Sequence, residues 1–580
     1  MNSPPQAATA ADGSPRQRVN HEPGPLGRIA RLCFRRRGTV LLAWLFSLGL
    51  AIGLSQTLGD EPTNAMTLSG SDSAKAQTLL SERFPDQAGD RIDVVVQADD
   101  VTVDGVQSRV ESLLDEMEAV PNVVAVDDPY AANAAVSPDG RTLVARVHLG
   151  VTNPNDMPVE NTDELLSLAD EAEGAGVDIA LGGQAVQIAE QPENHTELIG
   201  LAAAAIILLF TFGSVVAAGL PLGVAIGGLA VSMSLVGLVA AAFDVPDYAS
   251  LIMAMLGIAV GIDYALLMVT RFREWRAAGL DTESATAATL DTAGRAVLVA
   301  GATVMVSMAG LFAMGMSIMD GTAVVTMMGV LVVLIAALTL FPAMLGYLGT
   351  RIDRLRLPIR RRPTAHVDAD GHLVAAPGWV RWSRFVQRRS SLAATGAFAV
   401  LILLALPFFG ARFAIPDAGN DPAGTSNREA YEMVADAFGA GTSGPLLVVA
   451  DTTNADGAVI ERLRAHLQDT AGVAAVSQPQ FDAGGDTAML SVVPSTGPQD
   501  GATEDLVHAV RDEAIPAAVA DSDTKVHVGG RTATTIDMNS EIVDRLPYLI
   551  GGVVIVSMLL LLVAFRSVLI ALTAALMNLL

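Results

Sequence analysis

Eight runs of this chain are apolar over about the twenty residues that an α-helix needs to cross a bilayer, and no other feature restricts the possible folds so strongly. They lie at 38–58, 197–212, 217–242, 249–270, 296–316, 321–348, 391–411 and 547–565, with a ninth beginning near Ser567. In lipid each backbone N–H and C=O must be satisfied within its own segment, so these runs are read as helices. The ninth run has covered only 14 residues when the sequence reaches Leu580. That is short of a crossing, so a longer natural chain is expected.

Hydrophobic residues make up 51% of the chain and charged ones 17%, so the charge must be gathered between the apolar runs. Arginine is concentrated in "RIARLCFRRR", "RFREWR", "RIDRLRLPIRRRP" and "RWSRFVQRR". The positive-inside rule assigns these segments, and with them the amino terminus, to the cytoplasmic side of a cell membrane. A second use of the same arginines, binding anionic lipid headgroups, is open. The resulting layout is a disordered tail at 1–27, a first span at 28–58, an external domain at 59–195 and a five-helix bundle at 196–348. A basic linker at 349–390, a span at 391–411, a second external domain at 412–545 and a last segment at 546–580 follow.

Several function classes drop out. Lysine occurs only at Lys75 and Lys525, neither within a GxxxxGK[ST] pattern, so no Walker-type ATP site is present. The single cysteine, Cys33, has no partner for a disulfide and no neighbouring metal ligands. The eight histidines are scattered, "ENHTE" at 193–197 reads as a polar cap, and neither HExxH nor GxSxG occurs. Nothing indicates an enzyme, a cofactor or a metal. The formal charge of -26 sits mostly in the two external blocks, which argues against nucleic acid as a partner.

Each external block carries the same pattern. In the first, "RIDVVVQA", "DGVQSRVESLLDEMEAV", "PNVVAVDDPY", "RTLVARVHLG", "NTDELLSLADEAEGAG" and "VDIALGG" read as β-α-β-β-α-β, the split ferredoxin-like unit. In the second, "PLLVVADTT", "DGAVIERLRAHLQDTAG", "VAAVSQ", "DTAMLSVVPST", "DGATEDLVHAVRDEAIPAAVA" and "KVHVGG" repeat it. Arg28, Arg31, Arg35 and Arg36 recur as Arg381, Arg384, Arg388 and Arg389 at a shift of 353, and Phe212 and Ser214 recur as Phe565 and Ser567. The expected fold is therefore a polytopic α-helical membrane protein with two α+β (ferredoxin-like βαββαβ) external domains and an internal duplication.

The most unusual residue is Asp263, within "LGIAVGIDYALLMVTRFREW". A carboxylate near the bilayer midplane costs about 2.5–3.5 kcal/mol, so an intramembrane acid is a functional candidate by default. In a low dielectric the neutral form of a carboxyl is favoured, which lets such a group take up a proton and release it when water or a partner charge arrives. Tyr264 beside it could donate to the carboxylate. The plainer alternatives are a structural acid hydrogen-bonded to a neighbouring helix and a tyrosine that packs. Gly257 and Gly261 form a small-xxx-small face for close helix packing. Thr303 and Ser307 lie one turn apart, to bond across to span four or back onto their own helix. Asp320 is read as interfacial.

One leading helix, a βαββαβ domain and five further helices, duplicated, resembles the resistance-nodulation-division superfamily. "GIDYALLMVTRFREW", "TAGRAVLVAGATV" and "LTLFPAMLGYLG" look like its MmpL branch of envelope-lipid exporters. The resemblance implies a proton-driven exporter of lipid, glycolipid or other amphipathic molecules, in which Asp263 and Tyr264 form half of a proton relay. The other half would fall near position 616 by the repeat rule. Many members have serine where this chain has Ala300, so Thr303 or water would take over that support. Multidrug efflux and a non-transporting sterol-sensing-like scaffold are the competing readings, and a homo-oligomer or accessory envelope proteins are compatible partners.

Overall fold

The computed structural model describes residues 23–60, 62, 70–84, 90–130, 136–151, 154–174, 176–191, 196–353, 355, 366–367, 373–374, 377–410, 416–453 and 457–579. The tail expected at 1–27 and the "ENHTE" cap therefore fall largely outside the described residues. Along the chain, α1 (Pro25–Arg35) and α2 (Arg37–Leu58) lead to α3 (Asp72–Arg83), β1 (Arg91–Ala98), α4 (Asp104–Glu118), β2 (Val123–Val126), β3 (Thr142–Leu149), α5 (Val159–Ala172), β4 (Val177–Gly182) and α6 (Gln184–Ala189). Helices follow: α7 (Thr196–Phe212), α8 (Val215–Ser234), α9 (Val236–Ala240), α10 (Asp247–Ala277), α11 (Thr282–Thr289), α12 (Arg295–Ala309) and α13 (Ser317–Leu348). After a small hairpin, β5 (His366–Val367) and β6 (Leu373–Val374), come α14 (Pro377–Arg388), α15 (Ser390–Ala405) and α16 (Ser426–Phe438). The rest is β7 (Leu446–Asp451), α17 (Gly457–Asp469), β8 (Val473–Val476), β9 (Gln480–Phe481), β10 (Thr487–Pro494), α18 (Gly501–Ala509), α19 (Ile515–Val519), β11 (Val526–Gly529), α20 (Arg531–Phe565) and α21 (Val568–Leu579). Two compact units result: a helical one of Met1–Thr63, His195–Leu406 and Tyr548–Leu580, and an α+β one of Asn64–Asn194 and Pro407–Pro547.

Within the helical unit, seven helices among the described residues are long and apolar enough to cross a membrane, and Ile199–Phe212 and Val568–Met577 are shorter apolar helices. This is a multi-pass membrane protein. The core is the packing of α8, α10 and α13 on one another, with α1, α2 and α12 laid on α13. Small residues permit it: a Cβ on Gly228 would stand 3.0 Å from Val333 and one on Gly301 3.0 Å from Leu334.

The span expected at 28–58 is two helices. The chain bends at Arg36, and α1 is a separate amphipathic helix that buries Gly27, Ala30 and Cys33 while Arg28, Arg35 and Arg36 stay exposed. Arg28, Arg31 and Arg35 cannot share an apolar crossing with α2, so they form their own helix ahead of it, with Arg36 at the joint and Arg37 opening α2. The 353-residue repeat is visible in the backbone at one further point. The α7–α8 joint uses Gly213 at φ 62, and the α20–α21 joint meets the same left-handed requirement with Arg566 at φ 51.

The α+β unit holds two antiparallel sheets of matching order, β2-β3-β1-β4 and β11-β7-β10-β8, with β9 added beside β10. In the first, Val94 pairs with Ala145 on one side and Leu181 on the other. In the second, Val448 pairs with Leu490 and Val528. One face of each sheet is covered by the helices within its own βαββαβ unit, giving cores around Ile92, Val94, Val110 and Leu165 and around Leu446, Val448, Leu463 and Val507. Burial of each such aliphatic side chain contributes about 1.5–3 kcal/mol.

The opposite faces are covered crosswise. Helix α16 packs on β4 and β1 of the first sheet, with Ala430 against Val95 and Ala180. Helix α3 packs on β11 and β7 of the second sheet, placing Ala76, Leu80 and Phe84 against Val449 and Met489. Each half of the duplication thus lends a helix to the other half's sheet.

Candidate functional site

Helix α10 is two-faced. Gly257 and Gly261 are buried on the side toward α8 and α13, where a Cβ on Gly261 would be 2.8 Å from the Ala225 Cβ and 3.1 Å from Val333. Met255, Ala259, Asp263 and Leu267 follow one another at one-turn spacing on another face and are all exposed. Asp263 is the one ionisable member of that otherwise apolar ridge. It forms no hydrogen bond or ion pair with any described residue.

Tyr264 is turned 100° from Asp263 by the helical period and packs, half-buried, against the apolar core that includes Ala265 and Met268. No hydrogen bond joins its phenol to the Asp263 carboxylate among the described residues, so the orienting bond anticipated from sequence is not made. Of the two alternatives for the supporting pair, Thr303 makes the bond back onto its own helix. Helix α12 lies on α13, and the Thr303 hydroxyl donates to the Val299 carbonyl of its own helix at 2.8 Å. Ser307 and Ala300 are half-buried on the same helix. The close approach of Gly301 to Leu334 sets α12 against span six, and among the described residues no hydrogen bond joins Thr303 or Ser307 to Asp263.

Sequence reasoning missed a buried carboxylate. Asp291 sits in a π-helical turn, Leu290–Gly294, between α11 and α12, and accepts from Gly24 N–H at 2.7 Å and Gly27 N–H at 2.8 Å. It caps the amino end of α1, where unpaired backbone donors favour an anion. A Cβ at Gly27 would overlap its carboxylate. The signal was adjacent to "TAGRAVLVAGATV", which begins one residue later, but backbone donors leave no residue-type trace. Arg273 of "RFREW" is also accounted for: it donates to the Phe212 carbonyl at 3.0 Å and lies over the Phe212 ring at 5.2 Å, closing the end of α7. Asp320, in the first turn of α13, lines a cavity of about 380 Å³ with Asp244 and Ser317.

The α+β unit has its own polar centre where α3 docks. Arg511 reaches Asp537 at 2.5 and 3.0 Å and Asp72 at 3.2 Å, and donates to the Val528 carbonyl at 2.9 Å. Asp72 meets His527 Nδ1 at 2.6 Å and accepts from Val528 N–H at 2.8 Å, and Asp537 accepts from Ser73 N–H at 3.1 Å. Burial pushes the Asp72 carboxyl up, but the bonds from His527 and Val528 and the charge of Arg511 together outweigh it and hold the group below the usual carboxylate range. Where α16 docks, Glu190 accepts from Ser426 N–H at 2.6 Å and Asn427 N–H at 3.0 Å. The Ser426 hydroxyl accepts from Leu181 N–H at 2.7 Å and the Asn427 side-chain oxygen from Gly183 N–H at 2.9 Å.

The family model described as "MMPL family" matches residues 65–393 and 420–577. "Membrane protein YdfJ" of Bacillus subtilis is 29% identical over 93% of this chain and 73% of its own length. "Putative membrane protein SCO6666" of Streptomyces coelicolor is 33% identical over 90% of this chain and 71% of its own length. "Mycolic acid-containing lipids exporter MmpL11" of Mycolicibacterium smegmatis is 28% identical over 95% of this chain, which spans 59% of that protein.

Proposed function

Because this chain belongs to the MMPL family, we propose that it is a transporter driven by the proton-motive force that exports a lipid, glycolipid or other amphipathic molecule toward the cell envelope. The observation that carries the reading is Asp263, an exposed carboxylate without a partner among the described residues, on an otherwise apolar ridge of a membrane-crossing helix. A group there is kept for a purpose, since its removal would relieve an insertion cost of about 2.5–3.5 kcal/mol. Taking up and releasing a proton switches it between neutral and charged forms, and one charge moved through 100 mV supplies about 2.3 kcal/mol to the cycle. Tyr264 supports the relay from the packed side of α10, and Gly261 fixes the helix that carries both. The arginine-rich segments, under the positive-inside rule, put the amino terminus in the cytoplasm. The relative named as a mycolic acid-containing lipids exporter supports a hydrophobic cargo.

The test is reconstitution in liposomes with an imposed pH gradient. The full protein is expected to couple proton entry to substrate movement, and Asp263→Asn to reduce both to background while still inserting and purifying normally. An Asp263→Asn protein that transports at the unaltered rate overturns the relay, and an unaltered protein with no flux supports the scaffold reading instead.

A further inference from the structure

Helices α1 and α14 occupy matching places in the two repeats. A single residue separates each from a spanning helix, Arg36 between α1 and α2 and Arg389 between α14 and α15. Between Pro25 and Arg37 there are five arginines and no acid, and between Pro377 and Arg389 four arginines and no acid, in a chain whose formal charge is -26. The apolar residues that stay outside are also matched. Ile29 and Leu32 of α1 are 43% and 54% exposed, and Trp382 and Phe385, at the same register 353 residues on, are 59% and 48% exposed.

The pairing decides what that ridge faces. Helix α1 is already docked on protein through Gly27, Ala30 and Cys33, with its amino end held by Asp291, and Ile29 and Leu32 are what this docking leaves uncovered. Trp382 and Phe385 stand at the matching register on α14, where residues 381–385 are all exposed; their rings stack at 5.8 Å and Arg389 lies 5.9 Å over Phe385. Arg28, Arg36, Arg381, Arg384 and Arg388 have no ion-pair partner among the described residues. An exposed apolar ridge flanked by unpaired guanidinium groups, fixed by chain continuity at the mouth of a membrane span, has the make-up of a helix that lies in the interface of an anionic leaflet.

We propose that the outward faces of α1 and α14 are paired docking surfaces for anionic phospholipid, with Arg28, Arg36, Arg381, Arg384 and Arg388 on the phosphates and Ile29, Leu32, Trp382 and Phe385 among the upper acyl segments. The assignment does not depend on transport.

The test uses the whole protein in nanodiscs of phosphatidylcholine with or without phosphatidylglycerol, one of the two lipids being brominated near the headgroup end of its chains. Brominated phosphatidylglycerol is expected to quench tryptophan emission at least twofold more than brominated phosphatidylcholine at equal mole fraction, with the excess falling as salt is raised. Trp382→Phe, a mild change at an exposed position, is expected to remove most of that excess. Arg381→Gln with Arg384→Gln is expected to bring the two lipids to equal quenching while the protein still inserts. Equal quenching by both lipids in the unaltered protein overturns the proposal whatever the variants do. So does an excess that survives Trp382→Phe, or an excess insensitive to salt.

Discussion

Where α3 meets the second sheet, a guanidinium sits between two carboxylates; where α16 meets the first, the matching positions hold a hydroxyl, an amide and a single acid. The correspondence is position for position. Leu181 and Val528, Gly182 and Gly529, and Glu190 and Asp537 are each 347 residues apart, and Asp72 and Ser426, which meet the other half's strand, are 354 apart. In both junctions the strand N–H at Leu181 or Val528 is accepted by the first turn of the crossed helix, and the acid at 190 or 537 caps that helix. Two sequences have thus solved one geometric problem, docking a borrowed helix amino terminus, with hydroxyl, amide and carboxylate hydrogen bonds in one case and a guanidinium-centred ion cluster in the other. The difference lies in what happens on damage. A network of separate hydrogen bonds loses one bond at a time, whereas a half-buried ion cluster that loses its central cation leaves two carboxylates without compensation.

The largest effect expected from this contrast is at Arg511. Arg511→Ala strands Asp72 and Asp537, and the α3 junction should lose about 3 kcal/mol, the lower end of the range for breaking a buried pair because Asp72 is partly exposed. Hydrogen exchange of the α3 amides should rise accordingly while that of α16 does not. Equal loosening at both junctions would show that the cluster is not a local device. The next effect is steric and again paired. A Cβ on Gly529 would stand 2.6 Å from the Ala76 Cβ, and one on Gly182 would stand 3.1 Å from the Ala430 Cβ. Gly529→Ala should therefore cost about 1–3 kcal/mol by overpacking and Gly182→Ala clearly less, read as the shift in urea midpoint of each helix's exchange protection. Should the two glycines respond alike, the ionic junction has more room than its geometry indicates.

These junctions also mark where sequence reasoning stopped. The spanning helices were legible because about twenty apolar residues in a row have few other uses, and the sheets because strands such as "RIDVVVQA" alternate cleanly and sit between turn residues. Helices α3 and α16 were not assigned. Their apolar faces are short, Ala76 and Leu80 in one and Ala430 in the other, and the surface they cover lies in the other half of the chain. Asp263 was legible as an acid in an apolar run, since that contrast is local. The surroundings of Asp263 were not: Thr303 and Ser307 share a face, as their spacing requires, but which helix that face meets is decided by the contact of Gly301 with Leu334. Asp291 escaped notice because its partners are backbone N–H groups, which every residue but proline carries.

A smaller effect is expected at the α16 junction. Glu190→Gln keeps an acceptor for Ser426 N–H and Asn427 N–H but removes the charge that favours a helix amino terminus, so the loss should be about 0.5–1 kcal/mol. It should appear as faster exchange in the first turn of α16 with α3 unchanged. A loss as large as that of Arg511→Ala would mean that the acid, and not the amide network, holds this junction, which would erase the contrast.

The smallest expected effect is a pH dependence confined to one side. The folded-state value of Asp72 is depressed, so its contribution is present above the ordinary aspartate value of about 3.9 and is lost as pH falls through the lower folded value. Asp72 is about a third exposed, and solvent screening keeps that contribution modest. The amide to watch is Val528, which donates to Asp72, against Leu181, which donates to the Ser426 hydroxyl and so has no titrating acceptor. Lowering the pH from about 4 toward 2, below the ordinary aspartate value and through the lower folded one, should reduce the protection of Val528 relative to Leu181. Arg511→Gln should narrow the difference without abolishing it, because the hydrogen bonds from His527 and Val528 still favour the ionised Asp72 after the Arg511 charge is gone. If Val528 and Leu181 keep the same ratio across that range, Asp72 is not the group that ties α3 to β11, and the ion cluster is a bystander to a junction held by apolar contact alone.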